Sequence, residues 1–296
     1  MDNRLTTETV TFKPGGAARR MLYVLAHPDD ESFGPGGSII RYGAEGVDVH
    51  LICATRGEAG TVDDHYLHGY DSIAALRTQE LLCAAKPLGL TALHWLNYRD
   101  SGMPNTPENE HPQALVQAPT EVVAQRVATL IRQIQPQVIV TFDPIGGYRH
   151  PDHIAIHLAT VRAFDMAADA TFDDGQPPYQ PQRLYFSTID RTFFRVGVGL
   201  LRLFRRDPRK FGRNGDIDLV SLAEVDFPTH YKVAVGPYLG RKEQAGQCHA
   251  SQVGPLQGRL GGWFFRLLGG SETFMQARPE VTGKLHGRDL WEGVRP

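Results

Sequence analysis

The sequence predicts an α/β fold, with a Rossmann-like parallel sheet, helices on both faces and a smaller C-terminal appendage over one edge of that sheet. Two observations support this prediction. Short apolar runs alternate with segments of helical periodicity, which is the pattern of repeated strand–helix units. Two of the runs are followed at once by clusters of histidine and aspartate, and open α/β sheets bind ligands at the carboxyl ends of their strands.

Each expected strand is an apolar run bounded by turn residues. Between the runs, apolar side chains recur every three or four residues, as on helices that pack against a sheet. The expected strands cover 21–26, 47–54, 92–96, 138–142 and 183–189, and the expected helices cover 38–44, 73–88, 120–134 and 154–170. Parallel strands joined by helices need right-handed crossovers, so the helices should cover both faces of the sheet.

The C-terminal third differs in composition. Residues 191–213 contain eight basic residues and one acid, with phenylalanine and leucine interleaved. We expect a helix packed on the core with a solvated basic side, and the alternatives are a lid over the site or contact with a membrane surface. Beyond it the sequence predicts a strand at 231–235 and a helix at 242–249, and it indicates no task for the aromatic stretch 263–265.

Composition and charge narrow the class of protein. The 296 residues are 41% hydrophobic, which is enough for a large core. The formal net charge of −2 argues against a nucleic-acid partner. No apolar stretch has the length of a membrane span or a signal peptide, so we expect a cytoplasmic protein. Three cysteines are too few for a disulfide framework, and we expect Cys53 and Cys83 to pack in the core.

The first polar cluster is Ala26-His27-Pro28-Asp29-Asp30-Glu31, which lies between the first expected strand and a glycine-rich turn. An imidazole and three carboxylates at the end of a buried strand need a cation, a proton partner or solvent. His27 and Asp30 are three residues apart, and residues at this spacing lie on one face of a helical turn. We therefore expect both side chains to point at one ion.

The second cluster, at 143–153, follows the fourth expected strand and contains His150 and His153. If the two strands end at one edge, His27, Asp30 and one of these histidines supply the three protein ligands of a catalytic zinc ion. The spacing leaves open which histidine is the ligand. Such an ion lowers the pKa of a bound water to about 7.

Other residues of the two clusters are free for catalysis. Asp29 lies beside the expected ligands and can take a proton from water as a general base. The histidine that is not a ligand and Tyr148 can stabilise the charge that develops on the oxygen of an amide or ester. The residues alone therefore indicate a metal-dependent hydrolase.

The two clusters, together with 55–60, 77–81, 98–103 and 249–252, resemble the LmbE/PIG-L family of zinc-dependent N-acetylglucosaminyl deacetylases. The Arg-Asp-Ser-Gly-Met stretch at 99–103 is similar to the mycothiol and bacillithiol deacetylase and conjugate-amidase branch. The resemblance implies removal of the N-acetyl group from a small GlcNAc-containing glycoconjugate of the thiol-precursor type, with release of acetate. It does not extend over residues 190–225.

The resemblance also implies roles that the spacing leaves open. The implied metal ligands are His27, Asp30 and His153. The implied metal is zinc, with iron(II) as the alternative. The implied catalytic residues are Asp29 as the base, with His150 and Tyr148 at the carbonyl group. The implied substrate-binding residues are Arg77, Asp100 and His249.

Three alternatives stay open at this point. An amidase would cleave a bulkier acyl group or a thiol conjugate from glucosamine. A nucleotide-binding Rossmann protein without a metal is disfavoured, because the glycines at 34–37 lack the G-x-G-x-x-G spacing. A metal-free sugar-binding module is the third. We expect a metal-binding catalytic domain at 1–190 and a C-terminal region at 191–296 that packs on the same domain, and the sequence does not indicate an oligomeric state.

Overall fold

The computed structural model describes residues 6–189, 191–212, 215, 217–253 and 270–296. This part of the chain forms one eight-stranded sheet. The strands are β1 (Glu8–Thr11), β2 (Arg20–Leu25), β3 (Asp48–Thr55), β4 (Ala92–Tyr98), β5 (Val138–Phe142), β6 (Arg183–Thr188), β7 (Tyr231–Ala234) and β8 (Ser271–Arg278). Their order in the sheet is β1-β4-β3-β2-β5-β6-β8-β7.

The five central strands, from β4 to β6 in that order, are parallel, as the sequence predicts. The sheet as a whole is mixed, because β1 is antiparallel to β4, and β8 is antiparallel to both β6 and β7. The expected α/β fold with helices on both faces is confirmed. The antiparallel strands are additions at the two edges.

Nine α-helices lie in the described part of the chain. They are α1 (Asp30–Phe33), α2 (Gly36–Ala44), α3 (Ile73–Leu88), α4 (Thr120–Ile134), α5 (Gly146–Arg149), α6 (Pro151–Ala168), α7 (Arg191–Leu203), α8 (Leu219–Glu224) and α9 (Leu239–Cys248). Apolar residues of α2, α3 and α9 form the core on one face of the sheet. Those of α4 and α6 form the core on the other face.

The chain reverses direction across the sheet between β2 and β5. From β2 the chain moves outward to β3 and β4, and then returns to β5 on the other side of β2. The two strands are parallel neighbours, with Met21 opposite Val138 and Tyr23 opposite Val140. A crevice opens at the carboxyl ends of strands at such a switch point, and this is where α/β proteins bind ligands. Both polar clusters follow these two strands.

The sheet continues across the expected domain boundary at residue 190, because β7 and β8 extend it beyond β6. The sequence analysis places β7 correctly but does not include β8. Helix α9 packs against α3, and α7 packs against α8 beside the end of β5. The aromatic stretch 263–265 and Arg213 of the basic segment lie outside the described residues.

The cysteine prediction is wrong for Cys83. Its side chain lies on the exposed side of α3 and forms a disulfide with Cys248 at the end of α9, with a sequence separation of 165 residues. Cys53 is the buried, unpaired thiol in β3 that the sequence predicts. The disulfide therefore joins α3 to the C-terminal region of the chain.

We find no helix in the described ranges with the length and apolar character of a membrane span.

Candidate active site

The loop after β2 places His27 and Asp30 together, but not on one helical turn as expected. Helix α1 begins at Asp30, so His27 precedes it. The Asp30 carboxylate turns back toward the strand, where Oδ2 accepts the backbone N–H groups of His27 at 2.7 Å and Ala26 at 3.2 Å. Asp29 adopts a φ angle of 121°, a left-handed conformation that is strained for any residue except glycine.

The loop after β5 places His150 and His153 at the start of α6. This helix begins at Pro151, three residues earlier than the sequence predicts, and His150 is its N-cap. Proline suits the first helical position because it has no N–H group to leave unsatisfied. Gly146 allows the close approach, since it has a φ of 65° and a Cβ atom there would lie 2.8 Å from the Cβ of His153.

The three expected metal ligands meet at one point. His27 Nδ1 lies 3.2 Å from His153 Nε2, and the Asp30 carboxylate lies 3.2 Å from His153 Nε2 and 3.5 Å from His27 Nδ1. Tetrahedral zinc at its usual distance of about 2.0–2.1 Å from nitrogen or oxygen separates its ligand atoms by roughly 3.3 Å. The donor set and its spacing therefore fit a zinc ion.

Neighbouring groups orient the two histidines. His27 Nε2 lies 3.1 Å from the carboxylate of Asp152, and His153 Nδ1 lies 3.2 Å from the carbonyl oxygen of Gly146. Acceptors at these positions hold the proton on the outer nitrogen and leave the inner one free for a metal, as carboxylate and carbonyl groups do in metal sites. Asp152 is itself held by the backbone N–H and the hydroxyl of Ser101.

The site carries a concentration of negative charge. Burial lowers the pKa of His27, but the carboxylates of Asp100, Asp152 and Asp30 outweigh burial and raise this pKa well above its usual value. Burial raises the pKa of Asp30, but His153 and His27 outweigh burial and lower this pKa. Carboxylates that collect in a buried site favour a bound cation.

Asp29 is held by two buried groups on opposite sides. Its Oδ2 accepts an N–H of Arg77 at 3.0 Å, and its backbone N–H donates to Glu31 at 2.9 Å. Burial raises the pKa of Asp29 to about 6, and Arg77 opposes this rise. A carboxylate with a pKa near that value is suited to accept a proton at neutral pH and to release it again.

Arg77 and His249 lie behind Asp29. Arg77 also donates to the carbonyl oxygens of Gly57 at 2.9 Å and Pro28 at 2.6 Å. His249 is fully buried and contacts Glu31 at 2.7 Å. Burial lowers the pKa of His249, but Glu31 outweighs it and raises this pKa, so the two form an ion pair. The substrate-binding roles implied for Arg77 and His249 stay predictions.

His150 and Tyr148 line the other side of the site. The ring of His150 lies 4.5 Å from that of His27, and its Nδ1 accepts the backbone N–H of Asp152. Burial and the neighbouring histidines keep the pKa of His150 well below its usual value. The neutral ring must therefore carry its proton on Nε2, where it can donate to a substrate oxygen. Burial raises the pKa of Tyr148, which keeps its hydroxyl protonated as a donor.

Asp100 completes the site from the long loop after β4. Its Oδ1 lies 3.5 Å from His27 Nε2 and accepts the backbone N–H of Gly102. The coulombic effect of His27 lowers its pKa against the effect of burial. Asp152 and Glu31 lie within the two clusters, but the sequence alone indicates no role for them. Their positions inside the two clusters are the only signal for them in the sequence.

Comparison with known proteins identifies the family. The family model described as PIG-L, GlcNAc-PI de-N-acetylase, matches residues 22–164. A 1D-myo-inositol 2-acetamido-2-deoxy-alpha-D-glucopyranoside deacetylase from Rhodococcus erythropolis is 35% identical over 80% of this chain and 82% of its own. The protein of that name from Streptomyces avermitilis is 35% identical over 94% of this chain and 98% of its own. The chain belongs to the GlcNAc-PI de-N-acetylase family.

Solved structures support the fold of this GlcNAc-PI de-N-acetylase family member. The N,N'-diacetylchitobiose deacetylase from Pyrococcus horikoshii, complexed with its inhibitor MPG, superposes with a TM-score of 0.62. It is 22% identical, and the match covers 87% of this chain and 83% of that one. This structure supports the α/β fold, and the family model with the curated relatives confirms the family resemblance expected from the two clusters.

Proposed function

We propose that this protein is a zinc-dependent N-deacetylase that hydrolyses the acetamide group of a GlcNAc glycoconjugate to a free amine and acetate. The observation that carries the proposal is the meeting of His27, Asp30 and His153 with separations of 3.2–3.5 Å, with Asp29 beside them. Membership of a de-N-acetylase family supports the reaction type.

His27, Asp30 and His153 would hold the ion. When bound, zinc supplies Lewis acidity toward the amide carbonyl and toward water. Asp29 takes a proton from the water that attacks the carbonyl carbon, and then gives it to the nitrogen as the C–N bond breaks. His150 Nε2–H and the Tyr148 hydroxyl donate to the carbonyl oxygen as negative charge develops on it.

A cavity next to this site has room for a group joined to the sugar. It has a volume of about 290 Å³ and is lined by both apolar and polar residues, which are Met103, Pro104, Asn105, Tyr148, Arg149, Asp218, Ser221 and Leu222. Asparagine and arginine side chains can bind hydroxyl groups. The relatives named above act on a GlcNAc joined to myo-inositol, and we propose a polyol aglycone of this kind for the substrate, which would make it a thiol precursor.

A cytoplasmic location remains part of the proposal. A small polar glycoconjugate is a substrate that an enzyme would meet in the cytoplasm. Iron(II) is the alternative metal, because imidazole and carboxylate ligands suit both ions.

The test is a substrate panel with metal-loaded protein. We expect release of acetate from GlcNAc-inositol, and weaker activity on free GlcNAc because it leaves the cavity next to the site empty. Asp29→Asn should lower kcat by about 10²–10⁴-fold and retain stoichiometric zinc. Asp165→Asn on the exposed side of α6 is the matched control and should be fully active.

Two outcomes would contradict the proposal. Full turnover by Asp29→Asn with zinc bound would show that Asp29 is not the general base. Faster cleavage of bulky acyl or thiol conjugates than of the acetamide would assign the protein to the amidases.

A further inference from the structure

Helix α7 is held beside the active site by its inner face. Phe194, Val198 and Leu201 pack against Leu219 and Leu222 of α8. The same apolar cluster includes Tyr148 at its edge. The inner face of α7 is therefore packed, as the sequence predicts for this helix.

The outer face of α7 is apolar and exposed. Val196, Leu200, Leu203 and Phe204 are 41%, 42%, 74% and 72% exposed. Their spacing of four, seven and eight residues from the first places them in one stripe along the helix. Leu203 and Phe204 are the most exposed large apolar residues in the described part of the chain. A helix whose outer side faces only water would carry polar residues at these positions, so the stripe requires another explanation.

Exposed basic side chains surround the stripe. They are Arg195, Arg202, Arg205, Arg206, Arg209 and Lys210. Asp207 is the one acidic residue in this segment. Arg195 and Arg202 lie on α7, and the other four follow its end at Leu203. Because the whole chain has a formal net charge of −2, the positive charge is concentrated in this segment and does not reflect a basic protein.

We propose that the outer face of α7 docks on an anionic lipid surface. Amphipathic helices that lie in a membrane interface combine an apolar face with arginine or lysine at its borders. The apolar stripe would enter the headgroup region, while the arginines contact lipid phosphates. A second copy of this chain fits less well, since it would bring two arginine-rich faces together.

Docking would bring the site close to the surface. Tyr148 belongs to the cluster that holds α7, so a membrane on the outer face would lie near the mouth of the site. This inference does not depend on which substrate the enzyme hydrolyses.

The test is sedimentation of the full chain with vesicles of phosphatidylcholine alone, and with vesicles of equal parts phosphatidylcholine and phosphatidylglycerol. We expect binding only to the second kind, weaker at high salt. Leu203→Ser with Phe204→Ser should weaken binding at least tenfold, since both side chains lose their apolar burial in the headgroup region. Arg205→Glu with Arg206→Glu should weaken it by a similar factor.

The matched control is Leu158→Ser, which removes a half-exposed leucine from α6 on another side of the molecule and should leave binding unchanged. Thermal unfolding and the turnover of a soluble substrate should be the same in all variants, which separates lost docking from misfolding. Absence of binding to anionic vesicles at low salt would overturn the proposal. So would unchanged binding of the Leu203/Phe204 variant, or a concentration-dependent dimer that this variant abolishes.

Discussion

Arg77 holds Asp29, the proposed base, in position. Its guanidinium group contacts Asp29, Pro28 and Gly57 at once, so it can fix the strained turn that carries the Asp29 carboxylate. Arg77→Lys keeps the charge but loses the planar fork of donors. We expect kcat to fall by about 10–100-fold, with KM changed much less, because a misplaced base slows the reaction and not the binding.

Steady-state kinetics separates this role from substrate binding. A large rise in KM with unchanged kcat would instead support the sugar-binding role that the family resemblance implies for Arg77. Arg162→Lys is the matched control, because Arg162 is exposed and pairs with Glu121 on the surface.

A second residue-scale prediction concerns His50 and His94, which lie on neighbouring strands away from the site. Their ring nitrogens are 3.1 Å apart. Burial lowers both pKa values to about 4, with Asp48 opposing at His50, and Arg20 and Lys13 adding to the shift there. The unfolded chain therefore binds protons first as the pH falls below about 6.5, and this destabilises the folded state.

We expect the pair to cost roughly 3–4 kcal/mol of unfolding free energy between pH 7 and pH 5, and the loss to continue as the pH falls through 4. Denaturant titrations at the two pH values measure it. His50→Gln with His94→Gln should show a smaller difference between the two pH values than the natural chain, whereas His65→Gln, at an exposed position, should not change it. An equal loss in the double variant would contradict the prediction.

The meeting of His27, Asp30 and His153 could be predicted from the sequence, because each follows a recognisable buried strand and lies within a short motif. The partners that orient them could not. Asp152 contacts His27 across 125 residues, and Glu31 contacts His249 across 218. Such pairs depend on how helices pack on the sheet, and no local pattern records that packing.

At the scale of elements, the disulfide is the feature that joins two parts of the fold. It connects α3, which carries Arg77, to the end of α9, where His249 follows Cys248. Cross-linking residues far apart in the chain stabilises a protein chiefly by restricting its unfolded state. Cys83→Ser with Cys248→Ser should therefore lower the free energy of unfolding by about 2–4 kcal/mol.

Denaturation with and without dithiothreitol checks this prediction. The reductant should destabilise the natural chain and leave the double variant unchanged, and Cys53→Ala should still respond to it. No response of the natural chain would show that the two cysteines do not bond in solution. Because cytosolic disulfides are uncommon, the state of this pair in cells also tests the proposed location.

Elements with strong periodicity were predictable, whereas strand β8, which lies between β6 and β7 in the sheet, was not. Helix α3 has the bounds that its apolar pattern predicts, and α4 ends at the expected residue. Strand β8 was not predicted, because apolar and polar residues alternate only weakly along Ser271–Arg278. Its partners, β6 and β7, also lie far away in the sequence. The pairing of such a strand is set by tertiary contacts, which a local pattern does not contain.

At the scale of the whole molecule, the order of the strands creates the site. Strands β2 and β5 are neighbours although more than a hundred residues separate them, so two remote loops meet at one edge. Each loop alone offers two possible metal ligands. The fold brings together three histidines with several carboxylates in one buried space, and such a group could hold a metal ion.

Removal of the metal should therefore destabilise the entire fold. Ligands that bind only the folded state stabilise it by about 2.7 kcal/mol at a hundredfold excess over Kd. For a chain of this size, zinc added to chelator-treated protein should raise Tm by roughly 5 °C or more. His153→Ala should abolish the shift, while His157→Gln, one helical turn further along α6, should retain it. An equal shift in His153→Ala would place the ion elsewhere.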